Sequence, residues 1–392
     1  MPEVTIIGGG MITHDQLLPS LYHMQRLGRI GEISVCARTS RTLDSLAASE
    51  ILRRAFPGQS FRASLEPFGE LIARMPPRNM VVVAVPDQLH FDVIVTALRA
   101  GQQVCTVKPL VLKAAEAAAI EKEASARGLL VGIDYHKRFD DRSLLARRQY
   151  REGRLGEFRL GTACLLEKWC YRHSNFQDWC TAEHSDAFTY VGCHYVDLVH
   201  FITGLLPVAV SLYGIRDRYP NGNDGFLWTD ARVIWNNGAC LNVQNALGFP
   251  DAAPGSNTQG LTMYCAGADG GGLISHSDQY RGVRYSYLDA GYAEPNPDFF
   301  QYLDFGGDGL VPAGYGYRSI EHILDTAVRL EREELLAGRQ QMLKAIDEAG
   351  IMATPANSRH NDLVIEAGRL SILNGGRQAL IDCGNSPTVR LA

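Results

Sequence analysis

The sequence predicts an α/β chain in two parts: an N-terminal Rossmann-type, doubly wound parallel sheet, and a C-terminal α+β domain on an open, mainly antiparallel sheet. Three observations predict it. A glycine turn follows the first apolar run at once, in Val4-Thr5-Ile6-Ile7-Gly8-Gly9-Gly10. Short β-branched runs then alternate with helical patterns as far as residue 133. From residue 158 the texture changes to alternating segments divided by turn signals such as Asn236-Asn237-Gly238. A chain of 392 residues exceeds one core, so two domains are expected, 1–136 and 137–392.

The elements follow in order. A strand at 4–7 leads into a helix over 14–22. Between them, Gly8 makes the tight turn and Gly10 lets the backbone approach a pyrophosphate at the helix N-terminus, with Met11 and Ile12 in the same turn. The third glycine of the usual fingerprint is Thr13 here, so the match is incomplete. A strand at 33–37, a helix at 43–55 and a continuous apolar run at 80–85 come next, the last as expected of a strand buried on both faces. Pro86 to His90 leads into a helix closed by Gly101. Then come a strand ending at Lys108, a helix over 114–127 and a strand over 129–133. Pro109 has a fixed φ and no N–H, so the strand stops there. An ammonium is thereby held at the carboxyl edge of the sheet, where open α/β sheets bind ligands.

In the second part, strands are expected at 158–164, 209–215, 231–235, 240–245 and 261–266. Helices are expected at 194–203, 319–336 and 361–373, and a long Gly- and Pro-rich loop over 289–312.

Two stretches carry chemistry. After the second strand, where NAD sites place a carboxylate, the chain reads Arg38-Thr39-Ser40-Arg41. Guanidiniums and hydroxyls suit a 2′-phosphate, so the cofactor leans towards NADP, with NAD open. The second stretch is Tyr190-Val191-Gly192-Cys193-His194-Tyr195-Val196-Asp197. On a helix entered near Gly192, Tyr190 and His194 are about one turn apart, and His194 and Asp197 share a face. His194 can move a proton near neutral pH, with Asp197 as its orienting or merely structural carboxylate. Just upstream, Lys168, Trp169, Arg172, His173 and Asp186 offer aromatic faces and charge for a sugar, an anionic one included.

Composition narrows the class. Hydrophobic residues at 46% and charged residues at 21% are ordinary for a globular enzyme, and a net charge of −5 gives no reason to expect nucleic acid. No apolar run approaches the roughly 20 residues of a spanning helix, and Met1 leads straight into a strand without a basic leader. Nine scattered cysteines with no Cys-x-x-Cys pair argue against a metal ribbon and for a reducing, cytoplasmic setting.

Together, Gly8-x-Gly10, Pro86-x-x-x-His90, Lys108-Pro109 and Gly192-x-His194-x-x-Asp197 resemble the Gfo/Idh/MocA family of nicotinamide-dependent sugar and cyclitol oxidoreductases. Residues 135–140 resemble the segment where the family passes between domains, which brings His136 towards the cofactor, and 314–319 resemble a later helix entrance. The resemblance implies that Lys108 and His194 are catalytic. It also implies a homo-oligomer, dimer or tetramer. Two positions depart: Val107 stands where a Glu precedes Lys-Pro, and Tyr190 where an Asp precedes the histidine by four. A phenol with a reference pKa near 10 is no resting anion, but it can relay a proton. The expected reaction is hydride transfer between a sugar carbinol and nicotinamide, with Lys108 on the reacting oxygen, His194 moving its proton and Tyr190 assisting. The alternative is an NAD-dependent glycoside hydrolase that oxidises its sugar transiently, eliminates the aglycone, adds water and reduces the ketone again.

Overall fold

The computed structural model describes residues 1–277, 285–287, 291–293, 296–384 and 387–392. Its first sheet contains β1 (Val4–Ile7), β2 (Ile33–Cys36), β3 (Arg62–Ser64), β4 (Met80–Val83), β5 (Gln103–Val107) and β6 (Val131–Asp134). They lie in the order β3-β2-β1-β4-β5-β6, every pair parallel. This is the doubly wound arrangement, with its strand order reversing between β1 and β4. Val81, Val82 and Val83 are at most 1% exposed, which explains an apolar run with no alternation. Each such side chain contributes roughly 1.5–3 kcal/mol through burial.

The second sheet has eight strands in the order β12-β11-β7-β10-β9-β8-β17-β18. These are β7 (Glu157–Lys168), β8 (Pro207–Arg218), β9 (Asp224–Trp235), β10 (Cys240–Phe249), β11 (Asn257–Ala266), β12 (Gly271–Ser277), β17 (Ala379–Asp382) and β18 (Thr388–Leu391). Only the β7–β10 pair is parallel. The fold class expected from the sequence is therefore the fold observed.

The chain divides into two compact units that do not follow it in order. The first holds residues 1–111, 115–139 and 299–358; the second holds 112–114, 140–298 and 359–392. A single break at 136/137 describes one of these crossings. It leaves out the return of 299–358, whose helix Tyr315–Glu331 sends Ile320, Ile323 and Leu324 into the core of the first unit.

Several local expectations shift. The helix expected over 43–55 is two, Ser40–Ala47 and Glu50–Ala55, because the Ser49 hydroxyl accepts from Leu52 N and starts a new helix. β3 has no apolar signal, being three exposed or half-exposed residues at the sheet edge. The helix Leu336–Ala349 buries no residue, so its apolar spacing was too weak to notice. Within the expected loop 289–312, β14 (Gly291–Ala293) pairs with β13 (Tyr285–Tyr287), and β15 (Gln301–Leu303) pairs with β16 (Val311–Ala313). Residues 289, 290, 294 and 295 of that span lie outside the described residues. No helix among the described residues is long and apolar enough to cross a membrane.

Candidate active site

In the first unit, β1 ends in Gly8, whose φ is +116°. A Cβ built there would lie 2.0 Å from the Ala84 carbonyl oxygen, so the ends of β1 and β4 can meet only at a glycine. Gly8 N donates to Cys36 O at 2.9 Å, tying the turn to β2 as well. Thr13, in the place of the missing third glycine, is buried and donates its hydroxyl to Gly8 O at 2.9 Å. The substitution thus closes the same turn by a hydrogen bond. Gly9, Gly10, Met11 and Ile12 are half-buried. The helix they enter begins with a π turn, Thr13–Leu17, before the regular stretch Leu18–Arg26.

Lys108, half-buried, follows β5 directly, and the Lys108–Pro109 peptide is cis. His90 is fully buried beneath this turn. Its Nδ1 lies 2.8 Å from Pro109 O and its Nε2 2.9 Å from Val85 O. His90 is accordingly a brace between the Pro86 turn and Lys108-Pro109.

The parallel register sets Val107 opposite Asp134, so the residues after β6 share the sheet edge with Lys108. Asp134 is buried and accepts from Gln16 Nε2 at 2.8 Å and Ser319 Oγ at 2.5 Å. His136 Nδ1 is 3.7 Å from Asp134 Oδ2, and its ring lies against Phe299 and Tyr315 at 5.1 and 5.5 Å between centroids. Asp134 was invisible as a site residue because its partners lie 118 and 185 positions away in the chain.

At the end of β2, Arg38, Thr39, Ser40 and Arg41 are exposed at the entrance to the helix Ser40–Ala47. Thr39 is the N-cap, accepting from Thr42 N at 3.3 Å, and no acidic residue occupies the first turn. A helix start without carboxylates and with two guanidiniums beside it favours an anion.

Tyr190 and His194 belong to the second unit. The α-helix begins at Cys193 with Gly192 as its N-cap, as expected, but it is preceded by a further turn. A π turn, Phe188–Gly192, carries Tyr190 and runs directly into the helix Cys193–Thr203, which carries His194. π turns of this kind frequently mark functional positions. A Cβ at Gly192 would lie 2.4 Å from Asn245 Oδ1, so the glycine lets the turn press onto β10. Tyr190 packs edge-on against Phe176 at 4.5 Å and near Trp179 at 6.1 Å. His194 is 4% exposed. Asp197 accepts from Asn361 Nδ2 at 2.7 Å and stands 3.9 Å from His360 Nε2, which gives it a structural place against the helix Pro355–Leu373.

The upstream polar cluster divides in two. Trp169 and His173 are exposed. Arg172 is buried, with its guanidinium 3.8 Å from the Trp169 ring centroid and 5.2 Å from that of Trp228. It donates to Leu247 O and Asp217 Oδ2, each at 2.5 Å. That hydrogen bond holds the Asp217 carboxyl below its usual range despite partial burial. Arg172 is therefore corrected from a sugar ligand to the support under the Trp169 indole. Lys168 Nζ donates to Pro250 O, Asp251 O and Ala253 O, and so holds a loop.

Asp186 is fully buried and also leaves the substrate set. It caps the Tyr190 turn, accepting from Thr189 N at 2.8 Å and Thr189 Oγ1 at 2.9 Å, and it pairs with Arg369 at 3.3 Å. Replacing Asp186 with Ala removes the Thr189 cap and leaves Arg369 with only the carbonyls of Ala182, Glu183 and Ser185, and is expected to cost about 2 kcal/mol in denaturant unfolding. A loss under 1 kcal/mol would return Asp186 to the list of surface ligands.

Comparison with known proteins shows what the chain is similar to. Residues 3–135 match the oxidoreductase family with an NAD-binding Rossmann fold, GFO_IDH_MocA. Over 154 residues the chain is 27% identical to scyllo-inositol 2-dehydrogenase (NADP(+)) IolW of Bacillus subtilis, a match covering 39% of this chain and 38% of that one. The match thus spans about two fifths of that relative. Among solved structures, GenD2 from gentamicin A biosynthesis, in complex with NAD, has a TM-score of 0.68 at 17% identity, covering 97% of each chain. The scyllo-inositol dehydrogenase of Lactobacillus casei, with NAD(H) and scyllo-inositol bound, has a TM-score of 0.64 at 14% identity, covering 97% of this chain and 99% of that one. The nucleotide-binding part of the chain thus matches the Gfo/Idh/MocA family model, and the whole chain shares its fold with these solved structures.

Proposed function

We propose that the protein is an NAD(P)-dependent dehydrogenase acting on a secondary hydroxyl of a sugar or cyclitol. The observation that carries this reading is Lys108, held at the carboxyl edge of a doubly wound sheet whose glycine turn has the packing such a cofactor requires. The Gly8 turn at the β1–β4 reversal and the first helix would hold the pyrophosphate, and the Arg38–Arg41 segment the adenosine ribose. When bound, the nicotinamide accepts or returns the hydride. Lys108 donates a hydrogen bond to the reacting oxygen and stabilises its developing charge. His194 takes the hydroxyl proton, an imidazole being able to accept and return it. The exposed Trp169 indole, backed by Arg172, offers a flat face to the C–H side of a polyol ring. Tyr190 assists from its aromatic surroundings.

The inositol dehydrogenases among the similar proteins favour this reading over the glycosidase. Purified protein given inositols and hexoses with each cofactor should reduce nicotinamide, seen by absorbance. Failure with every polyol would sink the assignment.

The preferred cofactor in this reading is NADP, supported by Arg38, Ser40 and Arg41 around an acid-free helix start. Removing both guanidiniums by Arg38→Ala and Arg41→Ala should lower kcat/KM for NADP about 10- to 100-fold, since each is a charge-assisted contact. The value for NAD should change little. Equal losses for the two cofactors would remove the 2′-phosphate from the account.

The setting proposed is the cytoplasm, which suits nine cysteines that form no disulfide. A homo-oligomer is proposed through the open face of the second sheet, where Tyr213, Ile215 and Tyr264 are 52–60% exposed.

A further inference from the structure

In the second unit a cavity of about 370 Å³ opens between the helix Asp141–Arg151, the helix Cys193–Thr203 and strands β11 and β12. No residue assigned to the hydride reaction lines it. Its size falls within the usual range of small-molecule sites. Ser143, Leu198, Ile202 and Leu261 form the floor, each 1% exposed. Alternation along β12 turns Ile274 and His276 inward, while exposed Ser275 and Ser277 sit at the mouth. The antiparallel register places His276 directly opposite Leu261.

Among the described residues, two polar atoms in this apolar cup have no hydrogen-bond partner: Ser143 Oγ and His276 Nδ1. The His276 side chain is only 7% exposed. Buried polar atoms are nearly always partnered, so two orphans lining one cavity ask for an occupant.

The chemistry of that occupant follows from Asp140. Its carboxyl is buried, which alone would raise its pKa, but hydrogen bonds from His276 and Arg142 outweigh burial and hold it well below the usual range. An ionised carboxylate only accepts. His276 Nε2, 3.2 Å from Asp140 Oδ2, therefore carries the hydrogen, and in that tautomer Nδ1 is left as an acceptor. Ser143 can donate. A hydroxyl answers both, donating to Nδ1 while accepting from Oγ. An anion suits the site less well. Arg142, the cation at the rim, is already engaged by Asp140, by Ser277 O at 3.1 Å and by Asp298 at 3.6 Å.

We propose that this cavity binds a small neutral molecule bearing one hydroxyl on an apolar body, of the phenol class, with its O–H held between His276 Nδ1 and Ser143 Oγ. The site is independent of the hydride reaction.

The test uses the purified full-length chain and phenol as the probe, followed by isothermal titration and saturation-transfer NMR. Phenol should bind saturably at one site. Anisole, which cannot donate, should bind at least about 10-fold more weakly. Ser143→Ala should weaken phenol about 3- to 10-fold, and Ala146→Phe, filling the cup from its half-buried wall, should abolish binding in a protein whose circular dichroism is unchanged. If Ala146→Phe does not fold, Ser143→Ala and the anisole comparison still decide. Absence of saturable binding would mean that water alone answers the two atoms and would overturn the proposal. Equal affinity for anisole, or phenol binding that survives a folded Ala146→Phe variant, would overturn it too.

Discussion

Replacing Lys108 with Met is expected to lower kcat for polyol oxidation by about a thousandfold or more, while affinity for the reduced cofactor stays within a few-fold. The side chain follows β5 at the sheet edge, its turn braced from below by His90 through Pro109 O and Val85 O. A charged donor fixed there stabilises oxygen as it gains charge, and losing such a donor typically costs 10²–10³ in rate. Further loss comes from misplacing the hydroxyl relative to the proton acceptor. The glycine turn lies beyond β4 and is untouched, so nicotinamide fluorescence should still report binding. Lys108→Arg should not rescue, because a planar fork does not place its charge where an ammonium does. Turnover within about tenfold of the parent would remove Lys108 from the reaction.

The largest stability effect is expected at Gly8. Replacing it with Ala puts a methyl 2.0 Å from a backbone oxygen and forces a β-carbon onto a residue with φ of +116°. Neither neighbour is a side chain that can swing away, so the ends of β1 and β4 must part. A loss of about 3 kcal/mol or more is expected in denaturant unfolding, together with loss of nucleotide binding. Gly28→Ala is the control: its φ is +69° but nothing lies within 4 Å of the added carbon. It should cost only about 1–2 kcal/mol. Similar losses at the two positions would mean that conformation, not the close approach, makes Gly8 necessary.

Sequence made the first sheet legible because its signals are local. Continuous valines at 81–83 report burial on both faces, and Gly8 follows β1 without an intervening residue. β3 and the helix Leu336–Ala349 were missed for the complementary reason, since neither buries enough to leave a pattern. The site was half legible. Lys108 and Tyr190-x-x-x-His194 could be singled out from residue types and neighbours. Whether a polar residue faces a ligand or its own protein could not. Asp186 meets Arg369, 183 positions away, and Arg172 meets Asp217 across two strands. Such pairings appear only once the chain has closed on itself, and they moved both residues out of the substrate set. Asp134 entered in the same way, through Gln16 and Ser319.

In the proposed function, hydride transfer is the whole reaction and not a passing step within a hydrolysis. It is tested by giving the purified protein a free cyclitol or hexose, and separately its aryl glycoside, with oxidised cofactor, while following nicotinamide absorbance and aglycone release together. Reduced cofactor and keto product should accumulate in equal amounts from the free polyol, with no aglycone set free. Aglycone release at catalytic cofactor, with no net reduction, would contradict it.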